Sequence, residues 1–192
     1  MAKLDDLIEE LVTANRILAR EGVVDSFGHI SVRHPDNPQR YLLSRSRAPD
    51  CIERDDIMEF TLDGTPVDPR GRAPYLERFI HGALYEARPD VMSVVHNHSE
   101  SVIPFAVTAK RIKPIFHMGA SIGHEVPVWD SHDRFGDTAL LVENMDMGEV
   151  KFLTAGEVDK VSARTGSYGI NRAWENWCRR AGRPFRAEQG RG

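Results

Sequence analysis

The residues in this chain best suited to chemistry lie within one stretch, Tyr75–Ser99, YLERFIHGALYEARPDVMSVVHNHS. His96 and His98 follow the apolar run Val91–Val95 and stand two apart. In an extended backbone such residues share a face, so both imidazoles point the same way. Glu77 and His81 are four apart on the preceding segment and lie on one side of a helix. Two imidazoles on one strand face, with a carboxylate from an adjoining helix, form a metal-ligand arrangement. Neutral imidazole and carboxylate suit Zn, Mn or Fe(II), and they leave positions open for a substrate. A bare His-x-His also fits two polar residues at a strand end. The apolar run before it and the acid beside it bring the metal reading level with that one.

The elements that must position these groups follow from pattern and punctuation. Leu76, Phe79, Ile80, Ala83 and Leu84 recur at helical spacing, Pro74 suits a helix start, and Pro89 forbids continuation beyond Arg88. Val91–Val95 then reads as a short buried strand. Earlier in the chain, Leu4, Leu7, Ile8, Leu11, Ala14, Ile17 and Leu18 trace one helical face, with Gly22 as its cap. Ser26–Arg33 is a Gly-punctuated turn feeding a strand, Tyr41–Leu43 is a second strand, and Ile57–Leu62 a third with a hairpin turn at Asp63-Gly64. Asp55 and Asp56 precede that strand and suit a turn or cap. Ser99–Val107 begins a helix capped by Ser99, and Pro114–Gly119 reads as strand then turn. Asn171–Arg180, with Trp174 and Trp177, reads as a last helix, and the basic, Gly-rich tail from about 181 as frayed. This irregular alternation predicts an α/β domain with a mixed or mainly antiparallel central sheet.

Composition narrows the function. The 192 residues suffice for a single domain with a sizeable core. A net charge of -4 gives no nucleic-acid footprint. No apolar stretch reaches membrane-spanning length and the acidic start is no signal peptide, so the expected location is cytoplasmic. Cys51 and Cys178 make no disulfide framework. The eight histidines, 29, 34, 81, 96, 98, 117, 124 and 132, are the compositional oddity. His117 is the preferred extra site residue among the later ones, because its strand closely follows the His96–His98 segment.

Glu77, the turn to His81, the Ala-Arg-Pro-Asp turn at 87–90 and Val94–His98 together resemble the signature of the class II aldolase/adducin family. The resemblance runs from about Leu4 to about Val142. It implies a three-layer α/β/α domain, a divalent metal (Zn or Mn) held by Glu77, His96 and His98, and Glu77 as the acid/base. It also implies a homotetramer with sites between subunits. The family's Gly-Asn-x-Ser turn, whose Asn helps hold a phosphate, matches Gly28-His29 here. His29 can donate to an anion, carry a proton or serve the structure. The family's anion loop matches Ser44-Arg45-Ser46-Arg47, where Arg in place of Gly offers a planar fork to a substrate carboxylate or forms a solvated charge cluster.

Family members break or remake a carbon–carbon bond beside a metal-bound oxygen. GHISVR, LLSRSRAP, ERFIH and VWDSHDRFGD resemble the members that decarboxylate hydroxy-aromatic carboxylates more than the sugar-phosphate aldolases. The alternatives are an aldolase or epimerase of a sugar phosphate, and a non-catalytic adducin-head-like module, which would have lost its ligands. The family's third His, in a Gly-His-Gly strand, is absent. LLVENMDMG runs straight into EVKFLTAGE, which implies a missing segment near Gly148–Glu149. Omission from the sequence is expected in preference to a true deletion, because losing a core strand exceeds typical domain stability.

Overall fold

The computed structural model describes residues 2–106, 108, 110–113, 126–127, 175–176 and 179–180. Helix α1, Ala2–Arg20, forms over the expected apolar face, and Gly22 leaves it at a φ of 68° that glycine tolerates. Four strands follow: β1, His29–Arg33; β2, Arg40–Ser44; β3, Ile57–Thr61; and β4, Ser93–His96. They form a sheet in the order β3-β2-β1-β4. Every pairing in it is antiparallel, so the described part of the sheet is not mixed. Helix α2, Arg78–Ala87, precedes β4.

Strand alternation sends side chains to two sides. Ile30, Val32, Leu42 and Ile57 pack with Leu11, Val12, Leu4, Leu7 and Ile8 of α1. Tyr41, Leu43, Met58, Phe60 and Val94 pack on the opposite side with Tyr75 and with Tyr85 of α2. Helix, sheet and helix thus form the three layers.

Two expectations need correction. The apolar stripe of α2 is not its buried face: Leu76 is 52 % exposed and Leu84 36 %, whereas His81, Gly82 and Tyr85 are buried. Polar groups win that face because the sheet offers them partners, described below. Likewise β4 is covered on one side only. Val94 is buried against the Tyr85 side of the sheet, but Val95, on the opposite face, is exposed, because the α1 cluster over Ile30 and Val32 does not include it.

The chain divides into two compact units, Met1–Ser99 with Thr165–Gly192, and Glu100–Arg164. In the second, the helix expected from Ser99 to Val107 is a single turn, α3, Ile103–Ala106, with Pro104 near its start. The expected strand at Pro114–Gly119 with His117, the gap near Gly148–Glu149 and the tail lie outside the described residues, as does most of the last helix. No helix among the described residues is long and apolar enough to cross a membrane.

Candidate metal centre

Strand β1 and helix α2 meet as two matching ladders. On β1, His29, Ser31 and Arg33 share a face at every second residue, a step of about 6.6 Å. At and within α2, Glu77, His81 and Tyr85 recur every fourth residue, a step of about 6 Å. The steps are close enough for each rung to bond: His29 Nδ1 lies 2.7 Å from His81 Nε2, Ser31 Oγ lies 2.6 Å from His81 Nδ1, and Ser31 Oγ lies 2.8 Å from the Tyr85 hydroxyl. Arg33 Nη2 donates to the Tyr85 carbonyl at 2.7 Å, which holds the far end of the helix. Across the sheet, His29 pairs directly with His96 and Ser31 with Val94, so β4 delivers His96 beside His29.

His96 and His98 converge as their spacing predicts. Their Nε2 atoms lie 3.0 Å apart and their rings stand edge-on at 84°. Glu77 sits at the α2 N-cap and splits its carboxylate: Oε1 lies 3.5 Å from His96 Nε2, and Oε2 lies 3.4 Å from His29 Nε2. Nitrogens bound at about 2.0–2.1 Å to one tetrahedral zinc stand roughly 3.3 Å apart, so the His96–His98 pair has the right separation. Two imidazoles and a carboxylate are also the right donor chemistry for Zn or Mn. The residues fit a metal. One ligand atom each from His29, Glu77 and His96 also falls within 4.8 Å of the others, which brings His29 to the edge of the centre. At the far side of His98, Asp25 Oδ1 accepts from Nδ1 at 3.2 Å and from the Phe27 and Gly28 amides at 2.8 Å. A carboxylate on the distal nitrogen fixes the ring of a metal-binding histidine.

Charge follows this geometry. Burial opposes ionisation of Glu77, but hydrogen bonds from His29 and His96 prevail and hold its carboxyl well below the usual range. Burial resists charge on Asp25 too, and the Phe27 amide and His98 overcome it, so its pKa is lowered. His81, enclosed on all sides, is pushed far down by burial and then by His29, which leaves a neutral imidazole. Burial pushes the Tyr85 phenol up to about 12.

The expected anion loop is arranged differently. Arg45 Nε donates to Asp56 Oδ1. Arg47 donates to Asp56 Oδ2 at 2.7 Å and to Glu175 Oε1 through Nε and Nη2 at 2.9 and 2.6 Å. Protein carboxylates therefore stand where a substrate carboxylate was expected, and both arginines belong to an internal clamp. Asp56, nearly buried, is its centre, and its Oδ2 also accepts the Glu53 amide at 2.9 Å as a cap. Ser44 is buried and donates to the Tyr75 hydroxyl at 3.2 Å, and that hydroxyl donates to the Arg47 carbonyl. The Ser46 amide donates to the Ala73 carbonyl at 2.8 Å. Tyr75 also packs on His29, with ring centroids 4.3 Å apart. The structure thus gathers Glu77, His96, His98 and His29, and it sets Ser44, Arg45, Ser46 and Arg47 apart as a braced loop. Sequence reasoning overlooked Asp25, Ser31 and Tyr85. The matching periods of HISVR and Glu-x3-His-x3-Tyr carried a signal for the last two.

Comparison with known proteins places the chain in a family. The profile of the Class II Aldolase and Adducin N-terminal domain matches residues 9–156. The chain belongs to this family. Over 165 residues it is 35% identical to decarboxylase tropJ of Talaromyces stipitatus, covering 82% of this chain and 62% of that protein. It is 34% identical over 117 residues to the 3,4-dihydroxyphthalate decarboxylase of Arthrobacter keyseri, covering 56% of this chain and 46% of that one. The L-fuculose 1-phosphate aldolase of Glaciozyma antarctica PI12 superposes with a TM-score of 0.58 at 27% identity, covering 65% of this chain and 55% of that one. The fold is therefore that of the class II aldolases. The chain spans about half to three-fifths of the length of these relatives.

Proposed function

We propose that the protein is a metal-dependent carbon–carbon lyase that decarboxylates a hydroxy-aromatic carboxylate. The observation that carries the lyase reading is that His98 Nε2 and the Glu77 carboxylate both lie within 3.5 Å of His96 Nε2. His96, His98 and Glu77 would hold the metal, Zn or Mn. When bound, it supplies Lewis-acid polarisation of a substrate oxygen next to the bond that breaks.

The chain's own residues manage the proton. Glu77 is ionised at rest, and its side chain is 38 % exposed, so a substrate hydroxyl can reach it. Glu77 takes the phenolic proton as the substrate settles. The bond to the carboxyl group then breaks, CO₂ leaves, and the electron pair stays on the ring carbon. Glu77 returns the proton to that carbon, and the phenolate regains one from solvent on release. His29, wholly buried beside Glu77, shields one carboxylate oxygen from water and keeps it oriented.

Two features favour decarboxylation over sugar-phosphate cleavage. Two of the relatives, decarboxylase tropJ and the 3,4-dihydroxyphthalate decarboxylase, are named as decarboxylases. The Tyr75 hydroxyl also uses the Ser44 hydroxyl and the Arg47 carbonyl, groups of the loop that matches the family's anion loop and that a sugar phosphate would need. Aldol cleavage of a sugar phosphate is the second reading, supported by the fuculose-phosphate aldolase likeness. A homotetramer belongs to this reading as well, and native mass measurement checks it. The deciding experiment incubates metal-loaded protein with hydroxyphthalate-type acids and with sugar 1-phosphates. CO₂ release from the acids supports the proposal, and aldehyde release from the sugars alone overturns it.

A further inference from the structure

We propose that Asn176 is a positioning residue for the metal centre: anchored through Glu175 on Arg47, it holds the Asp25–Gly28 turn against β4 and so keeps His98 and His96 in place. This rests on the site reading above and deepens it, because it gives a distant segment of the chain a task at that centre.

The turn supports both histidines. Asp25 Oδ1 accepts from the Phe27 and Gly28 amides at 2.8 Å, which closes the turn, and lies 3.2 Å from His98 Nδ1. Gly28 approaches β4 so closely that a Cβ added to it would meet the His96 carbonyl oxygen at 3.0 Å. A shift of the turn therefore acts on the His98 ring and on the His96 backbone together.

Asn176 takes hold of the middle of this turn. Its Nδ2 donates to Ser26 Oγ at 2.9 Å, across 150 residues of sequence. Asn176 is 9 % exposed and Ser26 8 %, so water is poorly placed to replace the bond. Asp25, Ser26 and Asn176 also border a cavity of about 380 Å³, shared with Arg20 and Arg180. Close packing does not fill that flank, so a directed bond bears on where the turn sits. The neighbouring Glu175 seats the segment, because its Oε1 accepts from Arg47 Nε and Nη2 at 2.9 and 2.6 Å. The Arg47 carbonyl in turn accepts from the Tyr75 hydroxyl, and the Tyr75 ring packs on His29. Two adjacent residues thus reach the surroundings of the centre by two routes, through Arg47 and through Ser26.

Net stability does not account for Asn176. Its Oδ1 is buried without a hydrogen-bond partner among the described residues. An unmet buried acceptor costs about as much as a buried hydrogen bond contributes, so the two ends of this amide offset each other. What remains is the placement of Ser26.

The test titrates zinc into the chelator-treated full-length protein, as wild type, Asn176→Leu, Ser26→Ala, the double variant and Glu175→Ala, with urea unfolding of each. Asn176→Leu should bind zinc about 3–10-fold more weakly, less than the roughly 10–100-fold seen when the direct partner of a ligand histidine is removed. Its urea midpoint should not fall, because an apolar side chain of similar size relieves the unmet oxygen. Ser26→Ala should weaken zinc binding to a similar degree, and the double variant no further than Ser26→Ala alone. Glu175→Ala should weaken it in the same direction. In metal-free protein, hydrogen exchange of the Phe27 and Gly28 amides should quicken in Asn176→Leu. Wild-type zinc affinity in Asn176→Leu overturns the proposal whatever its stability, as do unchanged amide exchange and losses that add in the double variant. If Asn176→Leu does not fold, unchanged affinity in both Ser26→Ala and Glu175→Ala overturns it instead. A wild type that binds no zinc would overturn the site reading and this inference with it, whereas variants that match a zinc-binding wild type overturn this inference alone.

Discussion

Gly82 lies between His81 and Ala83 on α2 and faces the Leu62 carbonyl just beyond β3. A Cβ added there would meet Leu62 O at 1.9 Å and its carbonyl carbon at 2.9 Å. An ordinary carbon–oxygen contact needs about 3.3 Å, so α2 would have to retreat by roughly 1.4 Å. Both partners are backbone, and no rotamer change relieves the clash. Such a retreat takes the His29–His81, Ser31–His81 and Ser31–Tyr85 bonds, now 2.6–2.8 Å, beyond hydrogen-bonding range. Each buried bond is worth about 1 kcal/mol and overpacking costs about 1–3 kcal/mol, against a gain of about 1 kcal/mol for Ala over Gly in a helix. Gly82→Ala should therefore destabilise the protein by about 3–5 kcal/mol, or roughly 6–20 °C in Tm for a chain of this size. Urea unfolding followed by circular dichroism measures the loss, and metal titration of the folded variant should show weaker binding because Glu77 caps the same helix. A Gly82→Ala protein as stable as wild type would refute this account of how α2 seats on the sheet.

The other predictions concern the residues around the centre. Asp25→Asn should weaken metal affinity about 10–100-fold by titration, because the His98 ring loses its carboxylate partner; unchanged affinity would remove Asp25 from the site. Arg47→Ala should lower thermal stability and leave KM nearly unchanged, since Arg47 bonds to Asp56 and Glu175; a large rise in KM with stability intact would restore it to substrate binding. Asp56→Asn should cost about 2–4 kcal/mol at neutral pH, as it takes the anionic partner from Arg45 and leaves Arg47 with Glu175 in place of two facing carboxylates. Burial opposes the Asp56 charge, but Arg45 and Arg47 outweigh it and lower its pKa. Its contribution is therefore complete above the usual carboxylate value of about 3.9 and disappears as pH falls through the lower folded value. The stability gap between wild type and Asp56→Asn should shrink on acidification below about pH 4, and a gap that widens there contradicts the pairing.

Periodicity and punctuation made much of the fold legible. The face of α1, the cap at Gly22, the strands at His29–Arg33 and Ile57–Thr61 and the turn at Gly64 all follow from local pattern. The convergence of His96 and His98 was legible too, since strand geometry alone puts residues two apart on one face. The buried face of α2 was not. Apolar spacing pointed to Leu76 and Leu84, whereas polar partners on β1 drew in His81 and Tyr85, and only the tertiary pairing of two periods reveals that. The partners of the arginines of the 44–47 loop were not legible, for a related reason. Their charge was plain, but Asp56 is near in sequence and Glu175 is far, and no local pattern tells which acid a guanidinium will choose. Asp25 likewise gains its meaning from His98, 73 residues away.

The central claim is that Glu77, His96 and His98 make a metal centre, and metal titration of the chelator-treated protein tests it most directly. Wild type should bind one equivalent of Zn or Mn per chain, and His96→Ala, His98→Ala and Glu77→Gln should each weaken that binding while remaining folded. A wild-type protein that binds neither metal, or variants that bind as tightly as wild type, would contradict the account.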